Sequence, residues 1–289
     1  MYIYFNGEFV EQSVAKISAF DHGYLYGMGL FETLRTYNGH PFLLDDHLER
    51  LNVSLQALHI EQKWERKQAL PIIKQLCDSN DLPNSSIRFN VSAGVGKIGL
   101  QTDPYNEPTV IVFQKELPTM NRRIEKEGVI LKQRRNTPEI SFRVKSHHFL
   151  NNIAAKREIG NDPLKEGIFL TADGHVAEGI ITNIFWLRDG VLYTPSLTTG
   201  ILNGITRQFV LQLATELQIP VVEGLFKKHH LLEAEEIFLT NSVQEIVPII
   251  KIGKRKYPGL NGIVTERLIK EYNNYVNHLY SRIDLMNEE

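Results

Sequence analysis

Two Asp-Gly pairs, Asp173-Gly174 and Asp189-Gly190, each sit between short apolar runs, and they constrain the second half of this chain more than any other feature. Asp-Gly readily takes the positive-φ backbone of a two-residue hairpin turn. Ile168-Phe169-Leu170 is therefore expected to pair with Val176-Ala177, and Ile184 to Leu187 with Val191 to Tyr193. Successive hairpins mean antiparallel pairing, which argues against a purely parallel doubly wound sheet. The first half carries the same signal. Asn6-Gly7 joins Ile3-Tyr4-Phe5 to Glu8-Phe9-Val10, and Asn38-Gly39 closes a strand over Gly29 to Tyr37.

Helices fill the intervals. Leu44, Leu48, Leu51, Leu55 and Leu58 form a stripe at helical spacing, with Asp45 or Asp46 as the expected cap. A second helix is expected around Trp64 to Cys77, then strands over Ile87 to Ala93 and Thr109 to Gln114. Leu117-Pro118-Thr119-Met120-Asn121 has loop chemistry and is the linker candidate. Beyond it come a strand over Val129 to Gln133, a helix from near Gly204 carrying Phe209, Val210, Leu213 and Leu217, and a polar terminal helix. The pattern is that of a two-domain α+β protein.

Composition excludes several classes of function. With 32 basic residues against 34 acidic ones the net charge is −2, so nothing general draws the chain to nucleic acid or anionic lipid. Cys77 is the single cysteine, which fits a reducing compartment. No apolar run approaches the ~20 residues of a membrane span, and Met1 to Val10 reads as strand rather than signal peptide. The expectation is a cytoplasmic enzyme.

Tempting motifs fail. Gly94-Val95-Gly96-Lys97 lacks the earlier Gly and the following Ser or Thr of a phosphate loop, those places being Val91 and Ile98. His147-His148 and His229-His230 have no ligand at metal spacing, so no metal is expected. The cluster Lys132, Arg134, Arg135 reads as a solvated face, and Cys77 as a core thiol.

Four separated features share one chemistry. Arg50 lies off the leucine stripe and can face an anion, though read alone it is a surface arginine. Lys145 stands where a strand is expected to give way to a helix over Phe149, Leu150, Ile153 and Ala154. Burial there would neutralise it, as a nucleophilic amine requires. Glu178 sits among apolar strand residues, where a carboxylate needs a partner such as a protonated pyridine nitrogen; a solvated strand edge is the plainer alternative. Gly200 to Arg207 opens a helix whose free N–H groups and Thr206 hydroxyl suit a phosphate, or simply form a cap. Together these are what pyridoxal phosphate needs.

Those residues lie in a longer ordered series: Phe20-Asp21-His22-Gly23-Tyr24-Leu25-Tyr26-Gly27, Gly29-Leu30-Phe31-Glu32-Thr33-Leu34-Arg35, His47-Leu48-Glu49-Arg50-Leu51, Arg143-Val144-Lys145-Ser146-His147-His148, Ala177 to Asn183, Gly200 to Arg207, and Thr240-Asn241-Ser242. In this series the chain resembles the fold-type IV pyridoxal-phosphate enzymes, the class-IV aminotransferase family, over essentially its whole length. The resemblance implies a smaller N-terminal α/β domain (1–118), a linker (119–124) and a larger C-terminal domain (125–289), with cofactor between them in a homodimer. It implies that Lys145 carries the cofactor covalently, that Glu178 meets the pyridine nitrogen and that Arg50 meets the phosphate. Ile205, Thr206, Asn241 and Ser242 match further phosphate contacts, and Leu202 a leucine packed on the ring.

Within the family the segments look most like those of lyases that split 4-amino-4-deoxychorismate into 4-aminobenzoate and pyruvate, a folate-pathway reaction. D-amino-acid transaminases hold substrate carboxylate with a Tyr, an Arg and a His where this chain has Phe31, Ala93 and Val95. Branched-chain transaminases have a Gly-rich run where it has Ser146-His147-His148. A transaminase acting on D- or branched-chain amino acids is the alternative. Strand alternation puts Phe31, Thr33 and Arg35 on one face, and Arg88, Asn90 and Ser92 on one face of another strand. Arg88 is the first candidate for a substrate carboxylate, with Arg35 and Lys97 behind it.

Overall fold

The computed structural model describes residues 1–117 and 124–287. The chain divides into two compact units, one of Met1–Pro118, Val144–His148 and Val276–Glu289, the other of Thr119–Arg143 and Phe149–Tyr275. Residues 144–148 and 276–287 thus leave the C-terminal domain expected at 125–289 and pack with the N-terminal unit. The expected linker lies almost wholly outside the described residues. Among the described residues no helix is long and apolar enough to cross a membrane.

The first unit contains β1 (Tyr2–Phe5), β2 (Glu8–Glu11), α1 (His22–Tyr26), β3 (Gly29–Tyr37), β4 (His40–Pro41), α2 (Leu44–Ala57), α3 (Arg66–Asn80), β5 (Ser85–Ser92) and β6 (Thr109–Glu116). The strands form one antiparallel sheet in the order β2-β1-β6-β5-β3-β4. At the Asn6-Gly7 and Asn38-Gly39 turns both residues have positive φ, as their sequence dictates. Side chains alternate across the sheet, so Leu30, Leu34, Ile87, Phe89 and Val91 meet the leucine stripe of α2 and Ile73 and Leu76 of α3 in one core. Cys77 is buried in that core.

Neither Asp45 nor Asp46 caps α2. Leu43 precedes the helix at φ 55°, with no side-chain cap. Leu43 N–H donates to Leu279 C=O and Asp45 N–H to Tyr280 C=O, so the C-terminal segment satisfies backbone donors there. Asp46 accepts from the backbone N–H of Arg282 at 2.7 Å and also pairs with its guanidinium. A cap so distant in sequence left no local signal.

The second unit contains β7 (Lys126–Ile130), α4 (Leu150–Ile159), β8 (Lys165–Leu170), β9 (Val176–Gly179), β10 (Asn183–Arg188), β11 (Val191–Pro195), α5 (Ile205–Glu216), β12 (Val221–Gly224), α6 (Lys228–Leu232), β13 (Glu236–Asn241), β14 (Glu245–Ile252), β15 (Arg255–Lys256) and α7 (Ile263–Tyr275). Its sheet runs β12-β11-β10-β13-β14-β7-β8-β9, with β15 on β14. Both Asp-Gly hairpins form, as β8–β9 and β10–β11, while β7 lies parallel to β8 and β14. The sheet is therefore mixed. β7 ends three residues before the expected Gln133, because Lys132 and Gln133 direct their N–H groups to the Glu158 carboxylate instead of a ladder.

No regular strand precedes Lys145. Residues 145–147 instead border the exposed edge of β3, with Phe31 N–H donating to Lys145 C=O and His147 N–H to Gly29 C=O, both at 2.9 Å. Close approach demands glycine on the strand: a Cβ at Gly29 would lie 2.3 Å from the His147 ring, and one at Gly27 2.5 Å from His148. Gly29→Ala should therefore cost ~1–3 kcal/mol through overpacking. Denaturant unfolding should register that loss, and hydrogen exchange should show faster exchange at the Phe31 and His147 amides.

Candidate active site

In the first unit the face of the sheet away from α2 and α3 gathers the candidate reactive groups. Phe31 opposes Asn90, Thr33 opposes Arg88 and Arg35 opposes Ser86 across the β3–β5 ladder. The Phe31 ring is buried, with the Arg88 guanidinium 3.5 Å and Lys145 Nζ 4.6 Å from its centroid. His147 stacks beside the ring and its Nε2 lies 2.9 Å from Asn90 Oδ1. Burial, reinforced by Arg88, pushes His147 down to about 4, so it is a neutral imidazole near pH 7. Among the described residues no carboxylate lies within ion-pair distance of Arg88. Thr33 shares this face, whereas Arg35 stacks on Tyr37 at 4.6 Å and Lys97 is exposed on its loop.

On the helix side of β3, Glu32 is the one charged residue of the strand that faces α2. Arg50 grips it with a two-pronged fork, Nε to Oε1 at 2.8 Å and Nη2 to Oε2 at 2.6 Å. His47 Nδ1 lies 2.7 Å from Oε2. Arg50 is thus fixed in direction, not loose on the surface. Burial works to raise Glu32, but Arg50 and His47 outweigh it and hold the carboxyl at about 2. Burial also holds His47 below the ordinary imidazole range.

In the second unit Glu178, on β9, is 4% exposed. Its Oε1 accepts from Arg135 Nε at 2.7 Å and its Oε2 from Leu202 N–H at 3.0 Å. Arg143 Nε lies 3.8 Å from Oε1 and donates to Gly200 C=O. Burial, then repulsion from Arg135, brings Arg143 down to about 10. Arg135 corrects the sequence expectation: Lys132 and Arg134 are solvated, but the Arg135 side chain is 8% exposed. The signal was present, since an acidic residue in an apolar strand calls for a cation from its own fold.

Ile205 and Thr206 begin α5 behind Gly204, which supplies no side-chain cap, so their N–H groups have no helical acceptor. Gly204 is packed against Asn183, where a Cβ would stand 2.1 Å from Oδ1, and Asn183 Nδ2 in turn holds Leu202 C=O at 2.9 Å. Thr206 Oγ1 lies 3.4 Å from Ser242 Oγ. The Asn241 carboxamide accepts from Val243 and Gln244 N–H, folding the loop that presents Ser242. One residue earlier, the buried Thr240 hydroxyl has no hydrogen-bond partner among the described residues. Unspent N–H groups, two hydroxyls and an unsatisfied third are the donors an anionic phosphate takes, and Glu178 is an acceptor for a cationic ring nitrogen. The residues present therefore fit a phosphorylated pyridine cofactor.

Comparison with known proteins places this geometry. Residues 29–252 match the family described as amino-transferase class IV. The chain belongs to that family. It is 48% identical to Bacillus subtilis (strain 168) "Aminodeoxychorismate lyase" over 92% of each chain. It is 29% identical to a Staphylococcus epidermidis D-alanine aminotransferase over 95% of this chain and 97% of that one. A solved branched-chain aminotransferase of the archaeon Thermoproteus uzoniensis, with norvaline, superposes with TM-score 0.86 at 29% identity, covering 96% of this chain and 95% of that one. The fold is that of the fold-type IV pyridoxal-phosphate enzymes. Class IV relatives thus include both lyase and aminotransferases.

The Glu32 network gives a pH test. Its carboxyl is held down in the folded state, so its contribution is full above the unfolded value near 4.5 and fades as pH falls toward about 2. Glu32→Gln should cost ~3 kcal/mol at neutral pH, because Arg50 and His47 lose a buried partner. The gap between variant and wild type in thermal unfolding should narrow steadily across that acid range.

Proposed function

We propose that this chain is a pyridoxal-phosphate-dependent lyase converting 4-amino-4-deoxychorismate to 4-aminobenzoate and pyruvate. The observation that carries the reading is the arrangement of Lys145, Phe31 and Arg88 on one sheet face, in a chain 48% identical to the Bacillus subtilis lyase. The aminotransferase relatives keep the alternative of D- or branched-chain amino acids open to test.

Bound pyridoxal phosphate would supply an electron-accepting ring, and the rest of the chemistry falls to this chain's residues. Lys145 Nζ would carry the cofactor at rest, and its amine would take the proton from C4 of the substrate. Glu178 would hold positive charge at the ring nitrogen. Leu202 would pack on the ring, while Arg50, the Ile205 and Thr206 N–H groups, the Thr206 and Ser242 hydroxyls and the Asn241 loop would hold the phosphate. Arg88 takes a substrate carboxylate, with Phe31 and Thr33 forming the wall and Arg35 adding positive charge. As the C4 proton leaves, the bond from the ring to the enolpyruvyl oxygen breaks and the ring becomes aromatic. The released enolpyruvate gains a proton to become pyruvate. No amino acceptor is consumed. A homodimer and a cytoplasmic, folate-pathway setting belong to the same proposal and rest on family resemblance.

Purified protein with pyridoxal phosphate alone should release pyruvate and 4-aminobenzoate in equal amounts without any 2-oxo acid. Much faster turnover of D-alanine, D-glutamate or leucine with 2-oxoglutarate would overturn the lyase reading. Lys145→Ala should abolish turnover, and borohydride reduction of the wild type should place the cofactor mass on the peptide containing Lys145. Glu178→Gln should slow turnover by ~10²-fold, the scale of ~3 kcal/mol in the transition state.

Arg88→Ala separates binding from chemistry. The guanidinium contacts substrate remote from the C4 proton, so KM should rise by ~10-fold or more while kcat changes less. An unchanged KM would remove Arg88 from the substrate site.

A further inference from the structure

Glu178 meets two requirements that oppose each other. To hold positive charge at a ring nitrogen it must be ionised, yet it is 4% exposed on a strand between Ala177 and Gly179, both buried. Removing a carboxylate from water raises its pKa and can neutralise it outright. Something in the fold must keep the charge in place.

We propose that Arg135 is the positioning residue that keeps Glu178 ionised and fixes the plane of its carboxylate. The inference rests on the cofactor reading above and adds a role to a residue outside the site expected from sequence. Arg135 is built for the task. Its Nε donates to Glu178 Oε1 at 2.7 Å, and its Nη1 to Asn151 Oδ1 at 2.9 Å and Asn152 Oδ1 at 3.2 Å. The guanidinium lies 5.2 Å from the centroid of the Phe169 ring, and the Arg135 backbone N–H donates to Leu170 C=O. Asn152 is held in turn by Ile180 C=O, and Asn151 by Arg134 C=O. The arginine is therefore anchored from α4 and β8 before it reaches Glu178. With Oε2 taken by Leu202 N–H, both carboxylate oxygens are tied, which leaves the group one orientation.

The other charges nearby do not replace it. Arg143 stands 3.8 Å from Oε1 but directs its donors to Gly200 and Asn136 carbonyls, and Glu139 offsets part of its charge. On β8 Glu166 approaches Gly179, and Lys126 on β7 pairs with it. Among the described residues no other cation lies within ion-pair distance of Glu178.

Arg135→Gln removes the cation 2.7 Å from Glu178 and so favours the protonated carboxyl, and two readouts follow from the sign. In cofactor-free protein a raised pKa favours the folded state only while the group is protonated. The thermal stability lost relative to wild type should therefore grow as pH rises above the unfolded carboxylate range, and then level off. In titrations with pyridoxal phosphate, affinity should match wild type best at alkaline pH and weaken by ~10-fold or more as pH falls, because the lone carboxylate is then protonated first. Arg135→Lys keeps a cation and should restore a flat profile. The Arg135→Gln/Glu178→Gln pair should lose the pH dependence in both readouts. A purely structural arginine would lower stability and affinity equally at every pH, and that result overturns the proposal. Should wild-type protein take up no pyridoxal phosphate, the functional reading falls, while the cofactor-free arm still decides whether Arg135 sustains the Glu178 charge.

Discussion

Two backbone hydrogen bonds hold the main chain around Lys145, the lysine proposed to react: Phe31 N–H to Lys145 C=O, and His147 N–H to Gly29 C=O. A free lysine samples many rotamers, and ordering it from an equally mobile loop would be costly. Here the backbone beneath Lys145 makes an antiparallel bridge to a nine-residue neighbour, β3, already fixed by β5. The arrangement is possible because β4 covers only Thr36 and Tyr37, which leaves the first half of β3 with an unpaired edge. An unpaired edge attracts extended chain, and this protein fills it with its own residues. The glycines at 27 and 29 and the neutral His147 follow from that one docking event.

Two buried carboxylates are then managed alike. Glu32 is held by Arg50 and His47, and Glu178 by Arg135 and the Leu202 N–H. Neither pair is good evidence for stability, since desolvating both charges roughly cancels their attraction. What each network secures is direction. A forked guanidinium accepts few orientations, so Arg50 points where Glu32 allows, and Glu178 turns only as Arg135 allows. That function explains why costly charges sit where packed apolar residues would be at least as stable.

The local features of this chain were legible because their causes are local. Asn-Gly and Asp-Gly turns set their own backbone, so four hairpin or turn expectations match observed strand pairs. The leucine stripe located α2 for the same reason. What failed depended on partners distant in sequence. The start of α2 is set by Leu279 and Tyr280, the end of β7 by Glu158, and the 145–147 segment by β3. Arg135 was misread because a run of basic residues looks solvated in any local window, and its burial depends on Asn151, Asn152 and Glu178.

The face around Phe31 also carries an argument about ligand charge. Arg88 brings a guanidinium that no carboxylate among the described residues neutralises, Lys145 Nζ stands near the same ring, and His147 is neutral. The local charge is positive, and an aromatic platform stabilises cations without supplying an anion. An α-amino acid with an apolar side chain offers such a face one carboxylate and brings an ammonium with it. A substrate with two carboxylates brings a second negative charge to this positive face for the same single amine. With a phenyl ring at residue 31 there is no hydroxyl to donate to a lone carboxylate. The balance of charge on this face therefore favours the dianionic substrate of the lyase over a simple amino acid.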